Sequence, residues 1–176
     1  MFKIIAIVVV VVLAGVLIYA ATRPDTFSVQ RSLAINAPPE KIYALIGDFR
    51  KWGEWSPYEK LDPAMQRSFS GADSGQGAVY AWDSKAKAGA GRMEITQTTA
   101  PNSIVIQLDF IKPFEAHNTA TFTLQGEGDA TRVTWVMSGP ANYFHKLMSL
   151  FLNMDQLIGK DFETGLGNLK RITEPQ

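Results

Sequence analysis

From Ile4 to Ala21 the chain carries no charged or strongly polar side chain, only Ile, Val, Leu, Ala, one Gly and one Tyr. A helix of roughly 18 such residues rises about 27 Å, close to the thickness of a bilayer's hydrocarbon core. The consecutive valines Val8 to Val12 do not oppose a helix there, because lipid offers backbone polar groups no partner outside the segment. The competing reading is a cleaved signal peptide. Lys3 gives it a minimal positive start. The apolar run exceeds the usual core of about 7–15 residues, and Ile18 stands where a cleavage site prefers a small side chain. The expectation is an uncleaved single-span anchor over residues 1–22, with Tyr19 near the far interface. A short tail ahead of a first apolar segment stays cytoplasmic, which points the domain beyond it to the periplasm or exterior. The absence of Cys permits that compartment without requiring it.

The anchor leads into a short linker, residues 23–26, stiffened by Pro24, and then into one domain over residues 27–176, long enough for a real core. With Lys3 removed from the 17 basic residues, the remainder is one short of the 17 acidic ones. A near-neutral domain without a Lys/Arg cluster has no electrostatic footprint for nucleic acid.

The pattern of elements is legible along the domain. Phe27 to Asn36 alternates apolar and polar residues and reads as a strand. Ala37-Pro38-Pro39-Glu40 opens a helix whose stripe is Ile42, Leu45 and Ile46, ending at Gly47 or Asp48. Phe49 to Tyr58 is a compact aromatic turn. Six strand-like runs come next, about 65–70, 77–83, 90–99, 103–111, 114–125 and 130–138, separated by Gly-, Pro- and Asp-rich turns that include Lys85 to Gly89. Leu147, Phe151, Met154, Ile158, Phe162, Leu166 and Leu169 then recur at helical steps, with Asp155 as a candidate break. A seven-stranded antiparallel sheet with one apolar face needs a cover, and only this C-terminal helix is long enough. The expected class is α+β: a curved seven-stranded sheet around a long C-terminal helix, preceded by one transmembrane helix.

This arrangement resembles the helix-grip fold of the START/Bet v 1 (SRPBCC) superfamily. The motifs agree. Residues 27–43, from Phe27 through Ala37-Pro38-Pro39-Glu40-Lys41-Ile42-Tyr43, look like its opening. Trp52-Gly53-Glu54-Trp55-Ser56-Pro57-Tyr58 is similar to its W-x-x-W-S-P-W signature, with Tyr58 replacing the last Trp. Thr131-Arg132-Val133-Thr134-Trp135 resembles its T-x-V-x-W strand, and Asp161 to Lys170 its terminal helix. The resemblance is greatest to the polyketide cyclase/dehydrase and lipid transport group, in membrane-anchored bacterial form. It implies a cavity between sheet and helix. It does not imply one function, because this superfold hosts binders, carriers and enzymes.

Three constellations could carry chemistry. The aromatic turn, Trp52, Trp55 and Tyr58, reads either as a rim over an apolar cavity or as a plug that closes one end of the core. The inward faces of the strands bring together Tyr80 and Trp82, Met93, Phe110, Phe122, and Trp135 with Met137, beneath Phe144, Met148, Phe151 and Met154 of the last helix. These side chains either line a chamber or fill it. The third constellation is polar and sparse. His117 and His145 are the only histidines and neither belongs to a metal-ligand spacing, so no metal centre is expected. His117 has the phase of the outer surface, and His145 is expected in solvent beside Lys146. Arg67 and Glu94 are the strand residues considered for an internal ion pair. No G-x-S-x-G and no phosphate loop is present.

No catalytic residue and no cofactor emerge from these residues. The function expected first is a membrane-tethered binder or carrier of a hydrophobic small molecule: lipid, isoprenoid or polyketide-like. A protein-interaction or stress-response module with a filled core is the alternative, its protein partner unspecified. A cyclase or aromatase would need an acid or base reaching into the chamber.

Overall fold

The structure, a computed structural model, describes residues 1–86 and 88–175; Lys87, within the expected Lys85–Gly89 turn, and Gln176, the expected end of the domain, lie outside the described residues. It opens with α1 (Phe2–Ala21), the one helix among the described residues that is long and apolar enough to cross a membrane. The sheet comprises β1 (Thr26–Ile35), β2 (Gln66–Gly71), β3 (Ala78–Asp83), β4 (Ala90–Thr99), β5 (Ser103–Lys112), β6 (Ala116–Glu127) and β7 (Ala130–Pro140). Its order is β1-β7-β6-β5-β4-β3-β2, antiparallel throughout. Strands β2 to β7 form a meander, and β1 closes on β7, the last strand of the chain. Between β1 and β2 lie α2 (Pro39–Ile46) and the single turn α3 (Trp52–Trp55); after β7 come α4 (Tyr143–Met148) and α5 (Met154–Thr173).

Register defines two ends of the sheet. Thr26 pairs with Pro140, Ala116 with Phe110, Lys112 with Ala90 and Asp83 with Gln66 at the end where α1 joins. Ile35 with Thr131, Glu127 with Ala130 and Gly71 with Ala78 mark the opposite end. Helix α5 starts at the α1 end and reaches the other, where Lys41 Nζ donates to Thr173 O at 2.6 Å.

Local sequence accounts for these elements. Pro39 occupies the first turn of α2, where its missing N–H is not needed, and Ile42 and Ile46 are fully buried. Helix α5 buries Phe162, Leu166 and Leu169 on one stripe against the concave face of the sheet. Burial of each such side chain contributes on the order of 1.5–3 kcal/mol. At Gly91, beside a β-bulge, a Cβ would collide with the indole of Trp82, so the glycine lets that ring lie flat over β4.

The expected break at Asp155 is corrected. The helix stops after Met148 and restarts at Met154, with the Asn153 side chain accepting from Gln156 N at 3.0 Å as cap. Asp155 lies in the first turn of α5, where a carboxylate favours the helix.

Candidate functional site

The aromatic turn is positioned by α2. Trp52 Nε1 donates to Ile46 O at 2.9 Å and Trp55 Nε1 to Leu45 O at 3.3 Å, so both indoles satisfy the last carbonyls of that helix. Trp55 is fully buried, edge-on to Trp135 at 5.7 Å and to Phe122 at 6.0 Å. Asn168 Nδ2 of α5 donates to Trp55 O at 2.9 Å and ties the long helix to the turn. The Trp135 ring stacks on Phe162 at 4.0 Å with planes 7° apart, joining sheet and helix face to face.

Between the sheet and α5 this scaffold leaves a cavity of about 410 Å³. Its inner end is bounded by Trp52, Ser56, Tyr58 and Trp135. Tyr80, Met93, Leu108, Ala120 and Met137 form the wall on the sheet side. Ile158, Asp161 and Phe162 form the wall on the helix side. Trp82, Phe110, Phe114, Pro140, His145, Met154 and Leu157 surround it toward the α1 end.

The structure thus brings together Trp52, Tyr58, Tyr80, Trp82, Met93, Phe110, Trp135 and Met137 of the residues expected from sequence. It separates the others. Trp55 and Phe122 sit behind the lining as fully buried core. Phe144, Met148 and Phe151 do not roof the chamber: Phe144 is 52% and Phe151 70% exposed, and Met148 is half-buried outside the lining. The physical reason is the break after Met148, which rephases the chain. Lys146, not an apolar residue, is the buried side chain of α4, its Nζ on Asp25 Oδ1. Of the expected roof only Met154 lines the cavity, joined by Ile158 and Phe162. His145 also differs from expectation. It borders the cavity, stacks on Phe27 at 4.8 Å, and burial holds its pKa below the ordinary imidazole value. His117 is exposed, its Nδ1 2.8 Å from Asp109 Oδ1.

The polar chemistry centres on Glu59, which sequence reasoning passed over. Glu59 Oε1 accepts from Tyr80 Oη at 2.6 Å and Oε2 from Arg67 Nε at 2.7 Å. Arg67 also donates from Nη1 to Met65 O at 2.8 Å and from Nη2 to Glu59 O at 2.9 Å. The Arg67–Glu94 pair considered from sequence does not form: Glu94, out of phase with Met93 and Ile95, accepts at Oε2 from Arg92 Nη2 at 2.6 Å. Burial, with Glu59 beside it, raises the Tyr80 pKa above the ordinary phenol range. Tyr58 is raised by burial and then by the nearby Asp161. Asp161 is raised by its own burial. Three buried side-chain atoms of the lining residues, Ser56 Oγ, Asn118 Oδ1 and Trp135 Nε1, make no hydrogen bond among the described residues. The signal for Glu59 in the sequence was only its place directly after the Ser56-Pro57-Tyr58 turn.

Chemically, the site offers apolar area, aromatic faces and a few hydrogen-bonding groups. Arg67, which is not among the lining residues, is paired with Glu59, and the lysine of the lining, Lys112, stands at the α1 end with its Nζ 3.7 Å from Asp83 Oδ1. A neutral guest is therefore favoured over an anionic one in the interior.

Solved structures similar to this chain agree with it in fold at low identity. Protein CV1439 from Chromobacterium violaceum has a TM-score of 0.60 at 16% identity, covering 88% of this chain and 100% of that one. Ginseng major latex-like protein 151 from Panax ginseng has a TM-score of 0.58 at 13% identity, covering 86% and 100%. The di-domain ARO/CYC BexL from the BE-7585A biosynthetic pathway has a TM-score of 0.61 at 14% identity, covering 90% of this chain and 53% of that one, so this chain spans about half of it. No functionally curated protein matches the sequence. The family model described as polyketide cyclase / dehydrase and lipid transport matches residues 26–174, and this chain belongs to that family.

Proposed function

We propose that this protein is a membrane-tethered binding or carrier protein for an uncharged, largely apolar small molecule of isoprenoid-, sterol- or polyketide-like chemistry. The observation that carries the reading is the cavity of about 410 Å³ lined by Trp52, Tyr80, Met93, Leu108, Trp135 and Met137. That volume is in the range of small-molecule sites and suits a filled-core interaction module poorly. Methionines on the wall and roof can repack around a guest. A fatty-acid carboxylate seated at the inner end would meet Glu59 and Asp161, with Arg67 already paired and Lys112 at the far, α1 end of the lining beside Asp83. Docking of α1 on the domain supports an uncleaved anchor over a removed leader: Ala20 is buried, and Tyr143 Oη donates to Leu17 O at 2.9 Å. A C-terminal reporter active only outside the cytoplasm would agree with the expected orientation.

The deciding experiment is native mass spectrometry of residues 22–176, purified without detergent from a membrane-bearing host, with solvent extraction of bound material. A stoichiometric neutral lipid or polyketide supports the reading. A bare mass that persists after incubation with mixed neutral lipids and polyketides removes it.

A further inference from the structure

We infer that the open end of the cavity is immersed in the membrane surface, so that the site exchanges its guest with the bilayer and not with water. The inference rests on the reading of α1 as a retained anchor and of the cavity as the ligand site. Three observations carry it.

The first is depth. Tyr143 Oη of α4 bonds to the carbonyl of Leu17, four residues before the end of α1. At 1.5 Å per residue that carbonyl lies about 6 Å inside the apolar helix, measured from its domain-side end. Helix α4 is held there by two further ties: Lys146 Nζ on Asp25 Oδ1, and Ala141 N donating to Asp25 O at 2.7 Å. An element bonded at that level lies at the interface between head groups and acyl chains.

The second is the distribution of apolar surface. Ile111, Phe114, Tyr143, Phe144, Phe151 and Leu157 are 46–70% exposed, and all belong to the end where α1 joins. Phe114 and Phe144 lie against each other at 5.3 Å, so the β5–β6 turn and α4 form one continuous collar. At the opposite end the turns carry Ser74 and Asp129, both exposed. A one-sided apolar collar continuous with a membrane helix fits a lipid surface, into which such faces sink about 5–10 Å.

The third is continuity with the cavity. Phe114 and Leu157 are at once exposed on the collar and part of the cavity lining. The residues that would contact acyl chains are those that would first contact a guest.

The test uses the full chain, which has no native Cys. Single cysteines at Phe114→Cys, Phe151→Cys and Leu157→Cys carry an environment-sensitive fluorophore in dioleoylphosphatidylcholine vesicles containing shallow doxyl-labelled lipid, and the label at the deeper position 10 is read with lipid doxyl-labelled near the bilayer centre. Val10→Cys reports the anchor; Ser74→Cys and Asp129→Cys report the opposite end. Immersion predicts blue-shifted, strongly quenched labels at 114, 151 and 157 and unquenched labels at 74 and 129. Labels at 114, 151 and 157 as water-exposed as those at 74 and 129, with the 10 label quenched, overturn the inference and leave the anchor standing. An unquenched label at 10 overturns both. Loss of ligand in the mass-spectrometric experiment would leave the label depths unchanged, so the two readings fail separately.

Discussion

Gly159 of α5 lies directly against the guanidinium of Arg31 on β1, so close that a Cβ at that position would collide with Nη2. The same guanidinium reaches Asp155 Oδ2 at 2.9 Å and Glu163 Oε1 at 2.8 Å, one turn to either side along the helix. The glycine therefore sits beneath a cation that grips α5 at two points. An alanine improves helix propensity by about 1 kcal/mol. Its methyl would displace the guanidinium, the movable end of a long side chain, from Asp155 and Glu163, and the loss of these two exposed pairs offsets a gain of that size. Gly159→Ala is expected to leave stability nearly unchanged. Gly167 meets no atom within 4 Å, and Gly167→Ala is expected to gain about 0.5–1 kcal/mol. Urea unfolding should show a gain for Gly167→Ala and little or none for Gly159→Ala; equal stabilisation by both would show that close approach does not explain Gly159.

The sheet was readable because alternation and glycine turns are local signals. Tyr80, Met93, Trp135 and Met137 face the interior as their phase required. The roof was readable only at Met154, because the helical spacing of Leu147, Phe151 and Met154 runs unbroken in sequence across a segment that is not helix. The dihedral reset between Met148 and Met154 turns Phe151 outward and brings His145 to the cavity. Glu59 was hidden for another reason. Its partners Arg67 and Tyr80 lie on neighbouring strands and reach it only once β2 pairs with β3.

Filling the cavity should separate binding from folding. Leu108 lies on the wall, opposite Asn118 and Met93 on the flanking strands. Leu108→Trp is expected to keep the fold, with a stability change of about 1–3 kcal/mol at most, and to abolish the ligand adduct. Phe122 is packed among Trp52, Trp55 and Trp135 outside the lining. Phe122→Ala is expected to cost about 3–5 kcal/mol while adding no new ligand contact. Thermal melts paired with native mass spectra distinguish the two; a bound ligand in Leu108→Trp would place the site elsewhere.

Glu59→Ala should change the preferred guest. The substitution releases Arg67 Nε and the Tyr80 hydroxyl and leaves a cation beside the cavity without a counter-charge. The Glu59 and Arg67 side chains are 10% and 28% exposed, so the loss is expected at roughly 1–3 kcal/mol, below that of a fully buried pair. The wild type should prefer oleyl alcohol to oleate. Glu59→Ala should shift toward oleate, measured by displacement of a fluorescent fatty alcohol. An unchanged ratio would remove Arg67 from the account of ligand charge.

The mouth of the cavity should report pH through His145. Burial holds its folded pKa below the ordinary value of about 6.5, while the Phe27 ring stacks on it and Lys146 and Asp25 pair alongside. The unfolded chain then binds more protons than the folded one wherever pH lies between the two pKa values. The contribution is fully present above about pH 6.5, falls as pH drops toward the folded pKa, and is flat below it. Asp161 acts with the opposite sign, because burial raises its pKa and its contribution falls as pH rises above about 4. The comparison is therefore made between proteins that share Asp161: His117→Gln alone, and His117→Gln with His145→Gln. Stability of the first should decline from pH 7 to pH 5 relative to the second, by urea unfolding at each pH. Parallel profiles would show that His145 is solvated in solution and does not close the mouth.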